Sequence, residues 1–474
     1  MRAPCLNPPR RRPAAAIAAQ VLVIVAIGVA GSRAPLPAAA QEPAPAVAPA
    51  PASAPAPAPT HPPAPPPAPV HPVEVHYQAA VAAAGRADWP AYLAAIDSAR
   101  ALAPGQPVLE RRRAEALAQL GRGDEAQAVL LGLAGWGVGL KLDDNPLLAP
   151  LRARADWPAV GEAMAAALRP RGLAVETFAV PVDDLVPEGL AWDPVTDTFY
   201  LGSVAQRRIV RVTRAGLATT VCGPAEHGYL AGLGLAVDAQ RRRLWAVSTA
   251  PAQDARFTAA ESGTSAVHVF DLDSGGLLWS AVSPAADGYG LNDVCVLPDG
   301  AAALSASDAG LVVRCEFGGA GVGAPLCARG AVPGANGLCV GPDGRTLYVS
   351  AYGLGIMRVD PGTGAVTPAT VPGAAFTTMA VDGLYAVPGG LVAVQNFLGL
   401  DRVARFSLRA DGLLDGCRVL AARRPEFAEP TTGAVAGDGF HFIADSRVTA
   451  FFERDERAPL TGFGRAHVER VGLD

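Results

Sequence analysis

The sequence predicts a mainly β protein, a six-bladed β-propeller with four-stranded blades, preceded by a small all-α region of helical repeats. Two observations predict the propeller: after Arg171 short apolar segments alternate with turns such as "LPDG" and "GPDG", and one strand–turn–strand pattern recurs six times. A third observation predicts the helices, because "RADWPA" occurs twice in an alanine-rich segment before Arg171. The chain of 474 residues therefore divides into a leader at 1–40, a linker at 41–72, helical repeats at 73–170 and the propeller at 171–474.

The leader has the three parts of a secretory signal peptide. Its charged part is "RRR" at 10–12, its apolar part is 14–31, and small residues at 38–40 offer a cleavage site. An uncleaved membrane anchor is the alternative, because 18 mostly apolar residues just reach spanning length. In both cases we expect the rest of the chain to be exported, periplasmic or secreted, and to meet a membrane only through an uncleaved leader.

The linker is rich in proline and alanine, which cannot build a hydrophobic core. A proline-rich chain is extended, at about 3.1 Å per residue. The composition therefore predicts a disordered tether between the leader and the folded part.

The helical region resembles tetratricopeptide repeats in its spacing. "RADWPAY" at 86–92 returns as "RADWPAV" at 154–160, an interval of 68 residues, which is twice the 34-residue period of those repeats. "RGDEAQAV" at 122–129 lies near the halfway point. We expect two or three repeats, forming a small adaptor to which a protein partner would dock.

Each propeller repeat begins with a residue that we call its head. Gly or Asp follows the head, then an apolar strand, a turn, and a second apolar strand that ends in a small polar residue. The heads lie 45, 59, 44, 46 and 50 residues apart, which is the period of propeller blades. In chain order they are Glu188, Leu233, Asn292, Asn336, Asp382 and Thr432.

Strand count predicts how the ring closes. The sixth repeat supplies two strands, and the segment at 467–473 can be the third strand of blade six, which leaves that blade one strand short. The apolar segment at 173–180 precedes the first repeat and can supply the missing strand of blade six. Closure of this kind removes an exposed sheet edge.

The innermost strand of each blade lines the central channel, so the six heads are expected to meet at one end of it. Two carboxylates held close together repel each other unless a cation lies between them. Oxygen donors without His or Cys suit a hard cation, and Ca²⁺ is favoured over Zn²⁺, Mg²⁺ or Mn²⁺. The alternative is that the heads cap strand ends and bind local backbone.

The segments "PEGLAWDPVTDTFYLGS", "ANGLCVGPDGRTLYVSAYGLGIMRVD" and "VDGLYAV" resemble the gluconolactonase/regucalcin family of six-bladed propellers. The resemblance covers about 171–474 and is strongest from 187 to 396. It implies that Glu188, Asn336 and Asp382 hold a catalytic divalent ion. It also implies that Asn292 lies near the substrate and that Asp382 is the base. Sugar-lactone members carry an Arg two positions before the channel Asn, where this chain has Gly290, so the resemblance does not carry over their substrate.

Three further features are candidates for contact with substrate. Thr432, the sixth head, adds a hydroxyl to the ring. His227 in "GPAEHGY" would lie at the channel mouth, either as a proton shuttle or as a polar residue of a surface loop. Two long insertions, at 249–264 and 447–464, follow second strands and should emerge at the end where the heads lie; the second could cover a small apolar substrate with Phe451 and Phe452.

Cysteine content and net charge bear on whether the protein has disulfide bonds and on whether it binds nucleic acid or nucleotides. Six cysteines follow the leader, and Cys315 and Cys327 could face each other across a hairpin, although buried free thiols are the alternative. Without the leader, 34 basic residues oppose 44 acidic ones, which argues against a nucleic-acid partner. Leu142 follows the only lysine, Lys141, so the chain has no GxxxxGK[ST] loop for a nucleotide.

Two functions fit these observations. The first is an exported, metal-dependent hydrolase of a lactone, ester or related small molecule, with the metal at the propeller axis. The second is a non-catalytic propeller that binds or senses a ligand while the helical repeats dock a partner protein.

Overall fold

The computed structural model describes residues 69–252, 254–437, 439–455 and 458–474. The predicted signal peptide and residues 41–68 of the predicted linker lie outside the described residues. Within the part of the chain that is described, no helix is long and apolar enough to cross a membrane.

Six helices form the first part of the structure, here called the helical module (residues 72–167). They are α1 (Pro72–Gly85), α2 (Trp89–Leu102), α3 (Pro107–Gln119), α4 (Gly123–Gly135), α5 (Ala149–Arg152) and α6 (Trp157–Ala167). The second helices of successive hairpins begin at residues 89, 123 and 157, so they are 34 residues apart. The repeated "RADWPA" marks two of these beginnings: Asp88 accepts a 3.1 Å hydrogen bond from the Ala91 N–H, and Pro90 occupies the first turn of α2. A helical N-terminal region is thus confirmed.

The remainder is a six-bladed propeller of antiparallel, four-stranded blades, as predicted. Blade one contains β3 (Pro187–Asp193), β4 (Thr198–Ser203), β5 (Ile209–Thr213) and β6 (Ala218–Cys222). Blade two contains β7 (Ala231–Asp238), β8 (Arg243–Thr249), β9 (Ser265–Asp271) and β10 (Leu277–Ser283). Blade three contains β11 (Leu291–Val296), β12 (Ala302–Ala306), β13 (Leu311–Cys315) and β14 (Ala324–Pro325). Blade four contains β15 (Ala335–Val340), β16 (Leu347–Ala351), β17 (Gly355–Val359) and β18 (Val366–Pro368).

Blades five and six each recruit a strand from the segment that follows the helical module. Blade five contains β19 (Val381–Val387), β20 (Gly390–Gln395), β21 (Arg402–Leu408) and β22 (Leu414–Ala422), and β1 (Arg171–Gly172) is added at its outer edge. Blade six contains β23 (Gly433–Ala436), β24 (Gly439–Ile443), β25 (His467–Gly472) and β2 (Val175–Ala179). The pairing of β2 with β25 confirms the predicted closure of the ring.

The heads occupy β-bulges at the beginning of the inner strands. In blade four, Ala335 pairs with Ala351 and Leu338 with Val349, so Asn336 and Gly337 together oppose one residue of β16. The same irregularity occurs at the heads of blades one, two, three and five. A bulge re-aims the side chain that it contains, so the repeated pattern of the sequence corresponds to a repeated local geometry.

Small polar residues at the ends of second strands join neighbouring blades. The Ser350 hydroxyl donates to the Val381 carbonyl of blade five at 2.6 Å, and the Ser446 hydroxyl lies 2.7 Å from the Pro187 carbonyl of blade one. Thr249 and Ser307 make the equivalent bonds from blades two and three. These bonds explain why the repeat ends in a small polar residue: its hydroxyl satisfies a carbonyl beside the bulge of the next blade.

The helical module rests on blades four and five. Two arginines of blade five bind carbonyl groups where helices end: Arg402 donates to the Trp136 carbonyl after α4 at 2.7 Å, and Arg423 donates to the Ala167 carbonyl at the end of α6. Buried Gln106 adds a 3.2 Å bond to the Gly353 carbonyl of blade four. Cations are favourable at the negative end of the helix dipole, so these arginines hold the module in one orientation.

The six described cysteines are free thiols. The prediction that Cys315 and Cys327 face each other is wrong. Val313 pairs with Pro325 and Arg314 with Ala324, so Cys327 lies beyond the short β14 and not opposite Cys315. The glycine-rich turn between them closes nearer to Cys315 than the sequence spacing suggested.

Candidate metal centre at the channel mouth

Asp382 is a buried carboxylate at the channel mouth, the end of the channel where the heads lie. It is 6% exposed, and its Oδ2 accepts a 2.6 Å hydrogen bond from Asn396 Nδ2. Burial raises the pKa of Asp382 to about 6; the hydrogen bonds from Asn396 and Asn336 oppose the shift, and nearby Glu429 adds to it. Two heads, Asn336 and Asp382, are therefore in contact.

Glu188 lies in the bulge of blade one and is half-buried. Burial and then the charge of Asp382 raise the pKa of Glu188 well above its usual range. The Ser446 hydroxyl lies 3.2 Å from Glu188 Oε2 and opposes this shift. The two predicted carboxylate ligands thus disfavour each other's charge, which is the condition that a cation would relieve.

Asn292 lies in the bulge of blade three and is half-buried. Blades two and three are in close contact here, because a Cβ atom on Gly234 would meet the backbone of Asn292 and Asp293. The role of Asn292 near substrate stays a prediction.

Asp293 is a channel residue to which the sequence interpretation gave no role. It stands where the five other blades have Gly after the head, and it is 6% exposed. Its Oδ2 accepts a 3.3 Å bond from the Leu338 N–H of blade four. Burial raises the pKa of Asp293 to about 7. The departure from Gly in an otherwise regular repeat was the signal that could have identified it.

Glu429 is a third carboxylate near the two predicted ligands. Its oxygens accept hydrogen bonds from the N–H and the hydroxyl of Thr449, at the beginning of the short helix α7 (Val448–Glu453). Burial raises the pKa of Glu429, and its charge in turn raises the pKa values of Glu188 and Asp382. Glu429 was missed because it precedes the sixth repeat and lies outside the repeated pattern.

The residues at the mouth fit a hard divalent cation. Their donors are the carboxylate oxygens of Glu188 and Asp382 and the carboxamide oxygen of Asn336, which is the chemistry that Ca²⁺ and Mg²⁺ prefer. Among the residues that the structure describes, no three His, Cys, Asp or Glu side chains cluster closely enough to hold a metal. A site here therefore depends on amide oxygens and water in addition to its two carboxylates.

Thr432 and His227 are the other two residues predicted to contact substrate, and they lie in different parts of the structure. The Thr432 hydroxyl donates to the Glu188 carbonyl and so joins blade six to blade one. His227 is exposed; its Nε2 lies 3.5 Å from Glu226 Oε1, its ring is near Phe270, and its carbonyl lies 3.0 Å from His268 Nε2. These contacts place His227 beside the outer strands of blade two, and its role as a proton shuttle stays a prediction.

The two insertions meet over the head of blade two. Phe257 from the first and Phe451 from the second belong to one apolar cluster, against which Leu233 also packs. The guanidinium of Arg256 lies 4.5 Å from the centre of the Phe451 ring. The expected common location of the insertions is thus confirmed, although Phe451 is fully buried and only Phe452 is partly exposed.

Comparison with known proteins shows a family to which much of this propeller is similar. Residues 186–415 match the family model described as SMP-30/gluconolactonase/LRE-like region. The propeller is similar to this family over blades one to four and most of blade five. Glu188, Asn292, Asn336 and Asp382 all lie within the match, whereas Thr432 and the helical module lie outside it. No curated protein matches the chain.

Three solved structures are among those similar to part of this chain. The major allergen Mala s 1 of Malassezia sympodialis is 18% identical over 62% of this chain and 95% of its own, with a TM-score of 0.48. A gluconolactonase from Xanthomonas campestris is 18% identical over 65% and 99%, with a TM-score of 0.40. The calcium-binding protein regucalcin from Agrobacterium tumefaciens is 17% identical over 64% and 95%, with a TM-score of 0.40.

Proposed function

We propose that this protein is a metal-dependent hydrolase of a lactone or ester, with its reaction centre at the channel mouth. One observation carries the proposal: the carboxylates of Glu188 in blade one and Asp382 in blade five lie close enough to raise the pKa of Glu188, and Asn336 contacts Asp382. The match to the SMP-30/gluconolactonase/LRE-like region supports a lactonase-type reaction.

Glu188, Asn336 and Asp382 would hold the cation, and the oxygen donors favour Ca²⁺. When bound, a divalent cation supplies positive charge that polarises a substrate carbonyl group. Asn292, in the neighbouring bulge, would orient the substrate from blade three.

Asp382 is the residue that we assign as general base. The hydrogen bond from Asn396 to its Oδ2 fixes the orientation in which the carboxylate would accept a proton from an attacking water. A pKa of about 6 leaves this carboxylate mostly ionised at neutral pH, as a base must be. The insertions that carry Phe257 and Phe451 would limit access of water to the same end.

Export and a protein partner are further proposals that rest on the sequence. The charged, apolar and small-residue order of residues 1–40 supports a function outside the cytoplasm. The helical module, whose second helices recur every 34 residues, supports the docking of a partner protein on its outer surface.

The test is a hydrolysis screen of the full chain with lactones and aryl esters, in Ca²⁺ and in excess chelator. We expect turnover in Ca²⁺, loss in chelator, and loss in Asp382→Asn. Asp415→Asn is the matched control, because Asp415 is exposed on β22 of the same blade. Cation binding without turnover of any substrate would reject hydrolysis and favour the ligand-binding propeller.

A further inference from the structure

A chain of hydrogen bonds connects Asp382 to a tyrosine outside the predicted site. The Tyr352 hydroxyl donates to Asn396 Oδ1 at 2.6 Å, and Asn396 Nδ2 donates to Asp382 Oδ2 at 2.6 Å. A carboxamide that lost its donor could rotate and present oxygen to the carboxylate, which would repel it. The Tyr352 hydroxyl therefore fixes the orientation in which Asn396 supports Asp382.

Tyr352 remains a donor because of its surroundings. Burial, followed by the charges of Asp382, Glu429 and Glu188, raises the pKa of Tyr352 well above its usual range, so the phenol keeps its proton. The backbone of Ala380 ties the same residues together: its N–H donates to the Tyr352 carbonyl at 2.8 Å, and its carbonyl accepts from the Asn396 N–H at 3.2 Å.

The helical module packs directly against this arrangement. Val138, from the segment after α4, is fully buried in one apolar cluster with Met379, Ala380 and Leu400. Tyr352 and Trp136 both pack against that cluster. The position of Tyr352 therefore depends on contacts that the propeller alone does not provide.

A second, polar connection runs in parallel. Arg402, which is 1% exposed, donates to the Trp136 carbonyl and, through Nε at 2.7 Å, to Gln395 Oε1. Gln395 Nε2 donates to the Met379 carbonyl at 2.6 Å, three residues before Asp382. Buried polar groups are costly unless all of them are paired, so this chain favours one relative position of module and propeller.

We propose that Tyr352 and Asn396 are positioning residues for Asp382, and that the helical module holds them through Val138 and Arg402. The module is then a structural part of the channel site as well as a surface for partners. This inference rests on the proposed cation site. It adds Tyr352 and Asn396, which hold the predicted ligand Asp382 in position.

The test is calorimetric titration of Ca²⁺ into the full chain, comparing Tyr352→Phe with Tyr348→Phe. Tyr348 belongs to the same blade and is buried, but its hydroxyl donates to the Gly412 carbonyl, away from the mouth. Loss of a group that supports a metal ligand typically weakens metal binding about tenfold or more, and we expect this for Tyr352→Phe alone. Equal affinity of the two variants would overturn the proposal.

A second pair of variants tests the role of the module and covers the case in which Tyr352→Phe fails to fold. Val138→Ala is compared with Val160→Ala, because both valines are fully buried but Val160 lies in α6, inside the module. We expect both to lower the melting temperature and only Val138→Ala to weaken Ca²⁺ binding. Unchanged affinity in Val138→Ala would reject the assigned role of the module.

The outcomes separate this inference from the proposed reaction. Weakened Ca²⁺ binding in Tyr352→Phe, with no hydrolysis by any variant, would reject the hydrolase and retain the positioning residues. If the protein hydrolyses a substrate and both tyrosine variants have the same Ca²⁺ affinity and turnover, the hydrolase is retained and the positioning residues are rejected. A wild-type chain that binds none of Ca²⁺, Mg²⁺, Mn²⁺ and Zn²⁺ would overturn both.

Discussion

Arg242 of blade two forms a bidentate salt bridge with Asp193 of blade one, with N–O distances of 2.7 and 2.9 Å. The Asp193 carboxylate is fully buried, whereas Arg242 is 21% exposed and also contacts the exposed Asp273. The bridge joins the end of β3 to the turn between β7 and β8. It lies far along the blades from the heads and therefore reports on inter-blade stability separately from the channel site.

The first prediction concerns acid stability. Burial opposes ionisation of Asp193, but hydrogen bonds from Arg242 and Thr196 outweigh it and lower its pKa. Because the folded-state pKa lies below the unfolded value of 3.8, this stabilisation is present above that value and is lost as pH falls through the folded pKa. Asp193→Asn should cost about 2 kcal/mol at pH 7 by urea unfolding, and the cost should decrease as pH falls below 3.8.

Asp273→Asn is the control for this measurement, because Asp273 contacts the same guanidinium from a side chain that is 64% exposed. It should change stability by less than about 1 kcal/mol. An equal loss in the two variants, or a loss in Asp193→Asn that does not vary with pH, would contradict the assignment.

The candidate site residues that occupy equivalent positions of the repeat could be predicted from the sequence. Glu188, Asn336 and Asp382 occupy equivalent positions of different blades, and the fold repeats the same bulge at each of them. Tyr352 and Asn396 follow second strands and belong to no repeated pattern that separates them from ordinary packing residues. Their contact is seen only in the closed ring, where the backbone of Ala380 hydrogen-bonds to both residues.

The helical module illustrates a second limit of the sequence. Its 34-residue spacing predicted the helices, because the period and the caps are local properties. Its contact with blades four and five could not be predicted, because Arg402 and Arg423 lie more than 250 residues from the carbonyls that they bind. Arginines that bind helix ends have no sequence signature of their own.

The second prediction concerns removal of the cation. A ligand that binds only the folded state stabilises it by about 2.7 kcal/mol at a hundredfold excess over Kd. A chelator should therefore lower the melting temperature, and Ca²⁺ should restore it. Glu188→Gln and Asp382→Asn should each weaken binding, since each removes one negative charge and keeps the shape of the side chain. The site is misplaced if calorimetry finds full affinity in both variants.

The third prediction concerns the two insertions. Phe451→Ala should destabilise the protein by about 3 kcal/mol, because it leaves a cavity among buried side chains. It should also raise KM, since the cluster that contains Phe451 packs on Leu233 at the channel mouth. Phe406→Ala is the control: Phe406 is equally buried but lies on β21 of blade five. Thermal melts and steady-state kinetics measure both effects. An equal change of KM in the two variants would reject a role of the insertions in covering the substrate.

The last prediction uses the glycine that follows the head of blade four. A Cβ atom on Gly337 would lie far inside van der Waals distance of the Asp382 carbonyl oxygen and the Leu384 nitrogen. Gly337→Ala must therefore push the inner strand of blade five away and displace Asp382 from Asn336, and we expect both a lower melting temperature and weaker Ca²⁺ binding. Gly161→Ala is the opposite case, because Gly161 lies within α6 with no heavy atom near its Cβ position. That variant should gain about 0.5–1 kcal/mol from helix propensity and leave Ca²⁺ binding unchanged. If Gly337→Ala binds Ca²⁺ as tightly as Gly161→Ala, contact between these inner strands does not set the position of Asp382.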